Sequence, residues 1–69
     1  MRLFHILHTE AAAGWGGQEI RVLQETELLL ERGHRVSLVC CPGSPLETRA
    51  KSISNIRFQL LAIPMKSAL

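Results

Sequence analysis

The chain contains no aspartate and no tyrosine, and all of its acidic residues are glutamates. Without Asp there is no Asp-x-Asp pair to carry a metal-bound diphosphate, so any phosphate it receives must be held by protein donors. Its aromatic residues are Phe4, Trp15 and Phe58 alone, too few for a stacking platform on single-stranded nucleic acid. The two cysteines, Cys40 and Cys41, are adjacent, a poor geometry for a mutual disulfide, and no His or Cys spacing completes a zinc site. They read as buried or half-buried thiols at a strand end. No apolar run approaches the ~20 residues that cross a bilayer. The segment from Met1 to His8 lacks a convincing signal-peptide core and cleavage site. A cytoplasmic location is expected. The formal charge is only +2, and the basic residues are spread from Arg2 to Lys66 without a cluster, which argues against a nucleic-acid partner. That weak positive balance leaves room for peripheral contact with an anionic inner membrane face.

What is present is one small α/β unit. A chain of 69 residues lies near the size at which a single core is marginally stable, while 46% apolar content marks it as globular rather than disordered. Leu3 to His8 is short and apolar and predicts a buried first strand. Gln18 to Arg32 predicts a helix, with Val22, Thr26, Leu29 and Leu30 forming an apolar stripe beside Leu23. Leu28 falls off that stripe, to be exposed or to meet a neighbour elsewhere. Gly33 closes the helix, and Arg35 to Cys40 is a second strand. Ser44 and Pro45 start a short second helix through Ile53 as N-cap and first helical residue. Ile56 to Leu61 is a third strand, Pro64 ends the pattern, and Lys66 to Leu69 begins something unfinished.

The order β-α-β-α-β with short, right-handed connections makes a partial Rossmann-like parallel sheet, spatial order 3-2-1. Two crossovers cannot cover both faces of such a sheet. The chain therefore reads as the first piece of a larger domain, or as a truncated product that associates through its uncovered sheet.

In an open parallel sheet, ligands bind outside the carboxyl ends of the strands. His8 through Gly17, Cys40 to Ser44 and Ala62 to Lys66 fall at that edge; Arg2, His34 and Arg35 fall at the other, which makes His34 structural. Gly14, Gly16 and Gly17 precede the first helix, whose N-terminus suits a phosphate or carboxylate, although a tight connection alone would also use glycine. The dinucleotide fingerprint fails because position 19 is Glu, and Cys40 and Cys41 stand where a ribose-binding acid belongs. A nicotinamide dinucleotide is disfavoured. Glu19 either caps the free first-turn donors or orders the glycine turn beside a ligand. Glu10 lies in the loop as a general base without an evident partner. His8 is a packed histidine or a proton acceptor facing the cleft. Trp15 stacks on a sugar or acceptor, or packs on a neighbouring domain.

The run Thr9-Glu10 followed by Gly14-Trp15-Gly16-Gly17-Gln18-Glu19 resembles the start of family 4 glycosyltransferases of the GT-B type. Arg32-Gly33-His34-Arg35-Val36 resembles that family's helix-to-strand turn. Cys41-Pro42-Gly43-Ser44-Pro45-Leu46 resembles the following loop and second helix, and Ile63-Pro64 the edge after the third strand. The resemblance implies an acceptor-side N-terminal domain facing a donor-binding C-terminal domain that this chain does not include. It implies sugar transfer from a nucleotide-sugar with retention and without a catalytic metal or further cofactor. By position, Gly16 and Gly17 approach the donor diphosphate or sugar, while His8, Glu10 and Trp15 shape the side of a cell-surface glycan or lipid-linked acceptor. The family's carboxylate pair lies outside this chain, so 69 residues are not expected to catalyse transfer by themselves.

Overall fold

The computed structural model describes residues 2–10 and 16–64. The expectations for Trp15 and for the segment from Lys66 lie outside these residues. Three strands, β1 (His5–Glu10), β2 (Arg35–Cys40) and β3 (Phe58–Ala62), alternate with two helices, α1 (Gly17–Glu31) and α2 (Pro45–Ala50). All strand pairs are parallel, with β2 between β1 and β3. This is the expected α/β, partial Rossmann-like arrangement. Two right-handed crossovers stepping in the same direction place both helices on one face, and α1 and α2 touch each other there.

Strand alternation divides β2 between the faces. Val36, Leu38 and Cys40 are fully buried, and the last two join Leu46 and Ala50 in the core. Half-buried Val22, Leu23, Ile53, Phe58 and Leu60 pack against this cluster. The other face carries no layer among the described residues. Register puts His5, Leu7 and Thr9 of β1 there beside Arg35, Ser37 and Val39 of β2, with Gln59 and Leu61 of β3. Leu7 is 64% exposed, so β1 is a one-sided edge strand rather than the buried strand expected from its apolar content.

Local chemistry accounts for the element ends. Gly33 has φ +90°, a left-handed conformation that a Cβ disfavours. Its N–H reaches the Leu30 carbonyl at 3.0 Å and the His34 N–H reaches that of Leu29 at 3.1 Å, closing α1 with a Schellman turn. His34 Nδ1 in turn accepts the Phe4 N–H at 3.0 Å, which confirms its structural place. At α2, Ser44 Oγ accepts the Glu47 N–H at 3.2 Å and donates to the Cys41 carbonyl at 2.7 Å. Glu47 Oε1 accepts the Gly43 N–H at 2.7 Å, extending the cap backwards.

Two strands are displaced from their expected bounds. β1 begins at His5, because the ladder opens where Arg35 leaves the Schellman turn and donates to the Phe4 carbonyl at 2.9 Å. Leu3 and Phe4 precede the pairing and are exposed. β3 begins at Phe58, because Asn55 Oδ1 accepts the Arg57 N–H and its carbonyl accepts the Phe58 N–H, folding residues 55–58 into a turn. Ile56 sits on that turn and is 96% exposed.

Candidate functional site

The carboxyl edge of the sheet gathers the end of β1, the start of α1 and the loop after β2. Helix α1 begins after Gly16, which acts as N-cap and has no side chain to offer the first-turn amides. Gly16 has φ −159°, an extended conformation open to any residue. Neither Gly16 nor Gly17 has the positive φ of Gly33. A Cβ on Gly17 would meet nothing within 4 Å, and one on Gly16 would meet Glu19 Oε1 at an ordinary 3.8 Å. Backbone geometry and the described neighbours therefore leave both glycines unexplained. Among the described residues nothing lies within 4 Å of a Gly17 Cβ, beside the amides that carry the positive end of the α1 dipole.

A cavity of about 720 Å³ lies between β1 and the flank of α1, lined by His8, Gly17, Gln18, Arg21, Val22 and Glu25. Its side-chain donors are mixed: an imidazole, a guanidinium and a side-chain amide. Such a set accepts a hydrogen-bonding anion, with Glu25 limiting the charge it tolerates. His8 is half-buried and points to the helix side of β1, in register with Leu38. It faces the cavity rather than ending the strand.

The carboxylates are placed differently. Glu10 is the last residue of β1, beside Cys40, and is 7% exposed. It belongs to the strand rather than to the loop, and it has an interaction partner. Glu19 is 6% exposed on the core stripe of α1, with its carboxylate folded back towards Gly16. A buried carboxylate against the first turn suits the helix dipole. The structure thus joins His8 and Gly17 in one cavity and seats Glu19 behind Gly16, while Glu10 does not line the cavity. Arg21, Gln18 and Glu25 were not foreseen. The i, i+4, i+8 spacing of Gly17, Arg21 and Glu25 on one helix face was the signal that could have found Arg21 and Glu25.

After β2, Cys40 is buried and Cys41 half-buried, and neither is in a disulfide. Burial pushes the Cys40 thiol above its ordinary value, with Glu47 and Cys41 adding to the rise and a Ser44 hydrogen bond opposing it. A protonated, buried thiol is a packing group rather than a nucleophile. Ser44 is fully used as a helix cap. No group of metal-ligating side chains occurs among the described residues, and none of their helices is long and apolar enough to cross a membrane.

The fold and the site define an α/β chain with a ligand-sized opening at the first strand-to-helix junction. No family model matches it, and no curated protein or solved structure does so.

Proposed function

We propose that this chain forms the N-terminal part of a GT-B glycosyltransferase and contributes the acceptor-side wall of a nucleotide-sugar site. The observation that carries the proposal is the junction at Gly16 and Gly17, where glycine is required neither by φ nor by a described neighbour. A residue type that leaves space beside free helix N–H groups fits close approach by a phosphate. Gly16 and Gly17 offer amides to the donor diphosphate, stabilising the charge that grows as the sugar leaves. Glu19 holds the turn in place. His8 and Arg21, lining the cavity, orient the acceptor or the sugar; Glu10 stiffens the strand end behind them, and the resemblance alone assigns Trp15 to the acceptor. The retaining, metal-independent course is supported by resemblance and agrees with a chain free of Asp. The catalytic carboxylates come from a second domain, and the acceptor is a glycan or lipid-linked glycan at the cytoplasmic face of a membrane.

The test is a titration of the isotopically labelled chain with ADP, GDP and UDP, following the Gly16 and Gly17 amide resonances. Saturable shifts confined to these amides and their cavity neighbours are expected with at least one nucleotide. Gly17→Val should abolish them without unfolding the chain, because no described residue lies within 4 Å of its Cβ. Unshifted amides, or unchanged binding by Gly17→Val, would refute the assignment.

A non-catalytic reading rests on a separate observation, the open sheet face with Leu7 64% exposed on an edge strand. Such an edge favours association with another chain. Sedimentation as a clean monomer over a wide concentration range counts against it.

A further inference from the structure

Parallel register sets His5 beside Arg35, and Arg57 precedes Phe58 as Arg35 precedes its partner Val36. The three form a row on the open face, at the edge of the sheet opposite the glycine turn. Ser37 and Gln59, paired with each other, follow one pleat further along the same face. All five border a recess of about 190 Å³. We propose that this recess is a second ligand site, which binds a small organic phosphomonoester independently of the nucleotide-sugar site.

The floor of the recess is Ser37, which is only 5% exposed. His5 Nε2 lies 2.8 Å from Ser37 Oγ, and Ser37 Oγ donates to Gln59 Oε1 at 3.4 Å. A hydroxyl has a single proton, so once that proton goes to Gln59 the imidazole must donate to Ser37 through Nε2–H. The bonds then run one way and end on the Gln59 carbonyl oxygen. The Gln59 NH2 group is left without an acceptor among the described residues. Neither the Arg35 nor the Arg57 guanidinium has an ion-pair partner among them. No carboxylate borders the recess. Two guanidinium groups and an amide therefore offer donors that nothing receives, and neighbouring like charges on a sheet repel until an anion comes between them.

This donor set selects its anion. A carboxylate occupies one arginine fork, whereas a phosphoryl group has enough terminal oxygens to take both forks and the Gln59 amide together. The recess, about six times the volume one water occupies in the liquid, admits a phosphoryl group and little more. The body of the ligand has a space of its own. Arg35 and Arg57 also border a cavity of about 540 Å³, together with Leu3, Phe4 and Ile56, which are 60%, 53% and 96% exposed. A phosphoryl group on the arginines, with its ester substituent against Phe4 and Ile56, describes a monoester with a compact apolar or aromatic body.

The experiment is a titration of the isotopically labelled chain with phenyl phosphate, following the Gln59 side-chain amide and the Ser37 backbone amide, with benzoate and inorganic phosphate as comparison probes. Saturable shifts at this edge are expected with phenyl phosphate, and affinity at least about tenfold weaker with benzoate. Inorganic phosphate, lacking the apolar body, should bind about fivefold more weakly. The Gly16 and Gly17 amides should stay unmoved, so this site and the nucleotide site can each fail without the other. Arg35→Gln and Arg57→Gln should each weaken binding about tenfold, the ordinary effect of losing a charge-assisted bond to phosphate. Ser37→Ala leaves the charge unchanged and should weaken it about threefold by releasing the Gln59 amide. The charge-matched pair Arg32→Gln with Lys51→Gln should change it by less than about twofold, since neither residue borders the recess or the cavity. Far-UV circular dichroism checks that each variant keeps the fold. Absence of saturable shifts, equal affinity for benzoate or inorganic phosphate, or equal loss in the charge-matched pair overturns the proposal. So does sedimentation of the chain with phosphatidylglycerol vesicles that phenyl phosphate fails to reverse, because the row would then serve a lipid surface.

Discussion

Replacing Thr26 with valine should make this chain more stable. Thr26 lies in the middle of α1, is completely buried, and its Oγ1 has no hydrogen-bond partner among the described residues. A threonine in a helix commonly returns its hydroxyl to the carbonyl one turn back, and this one does not. Burying an unpaired hydroxyl costs about 1–3 kcal/mol. A methyl group in the same place removes that cost and adds apolar contact, while the helix propensities of Thr and Val are nearly equal. A net gain of about 1–2 kcal/mol follows, or about 5–10 °C in Tm for a domain of this size. The assay is urea unfolding followed by far-UV circular dichroism, with Thr26→Ser as the reciprocal control. Serine keeps the orphan hydroxyl and deletes the methyl, so it should lower stability by about 1 kcal/mol. An unchanged or lowered midpoint for Thr26→Val would show that the hydroxyl is satisfied, and the packing argument for the centre of α1 would fail.

Other perturbations test the element ends and the thiols. Ser44→Ala removes the α2 cap and the bond to the Cys41 carbonyl, and should cost about 1–2 kcal/mol in the same titration. Gly33→Ala forces a Cβ into φ +90° and should cost about 1–2 kcal/mol, whereas Gly17→Ala should be nearly silent for folding. Mass spectrometry during brief alkylation should find Cys41 modified and Cys40 protected until the chain unfolds. The raised thiol of Cys40 also sets a pH trend. Above the ordinary thiol range the unfolded chain loses this proton before the folded one, so stability should fall as pH rises; Cys40→Ala should flatten that slope.

Much of the architecture was legible because it rests on short-range chemistry. The C′ glycine at 33, the Ser44-Pro45 helix start and the stripe from Val22 to Leu30 each act over a few residues. Leu28, off the stripe, is 45% exposed, as the periodicity implied. Glu19, projected onto the same arc as the stripe, is buried there. At the candidate site, the glycine turn and Glu19 were visible as residue types. That His8 and Gly17 share a cavity with Arg21 was not, since it depends on how α1 lies against β1. The row of His5, Arg35 and Arg57 was hidden for a similar reason. Its members are far apart in the chain and meet only through parallel register.

The sequence by itself determined the order of elements, the closure of α1, the capping of α2 and the parallel sense of the sheet. Local hydrogen bonds and hydrophobic periodicity suffice for the ends of elements, and the short crossovers leave one economical topology. The tertiary structure alone decided which residues of β1 and β3 pair, and so that Leu3, Phe4 and Ile56 face outwards despite being apolar. It also decided that both helices share one face, leaving the other open with its charged row. Pairing register and layer placement are non-local: each depends on where a second strand begins and on what covers the sheet, and no single window of sequence contains both.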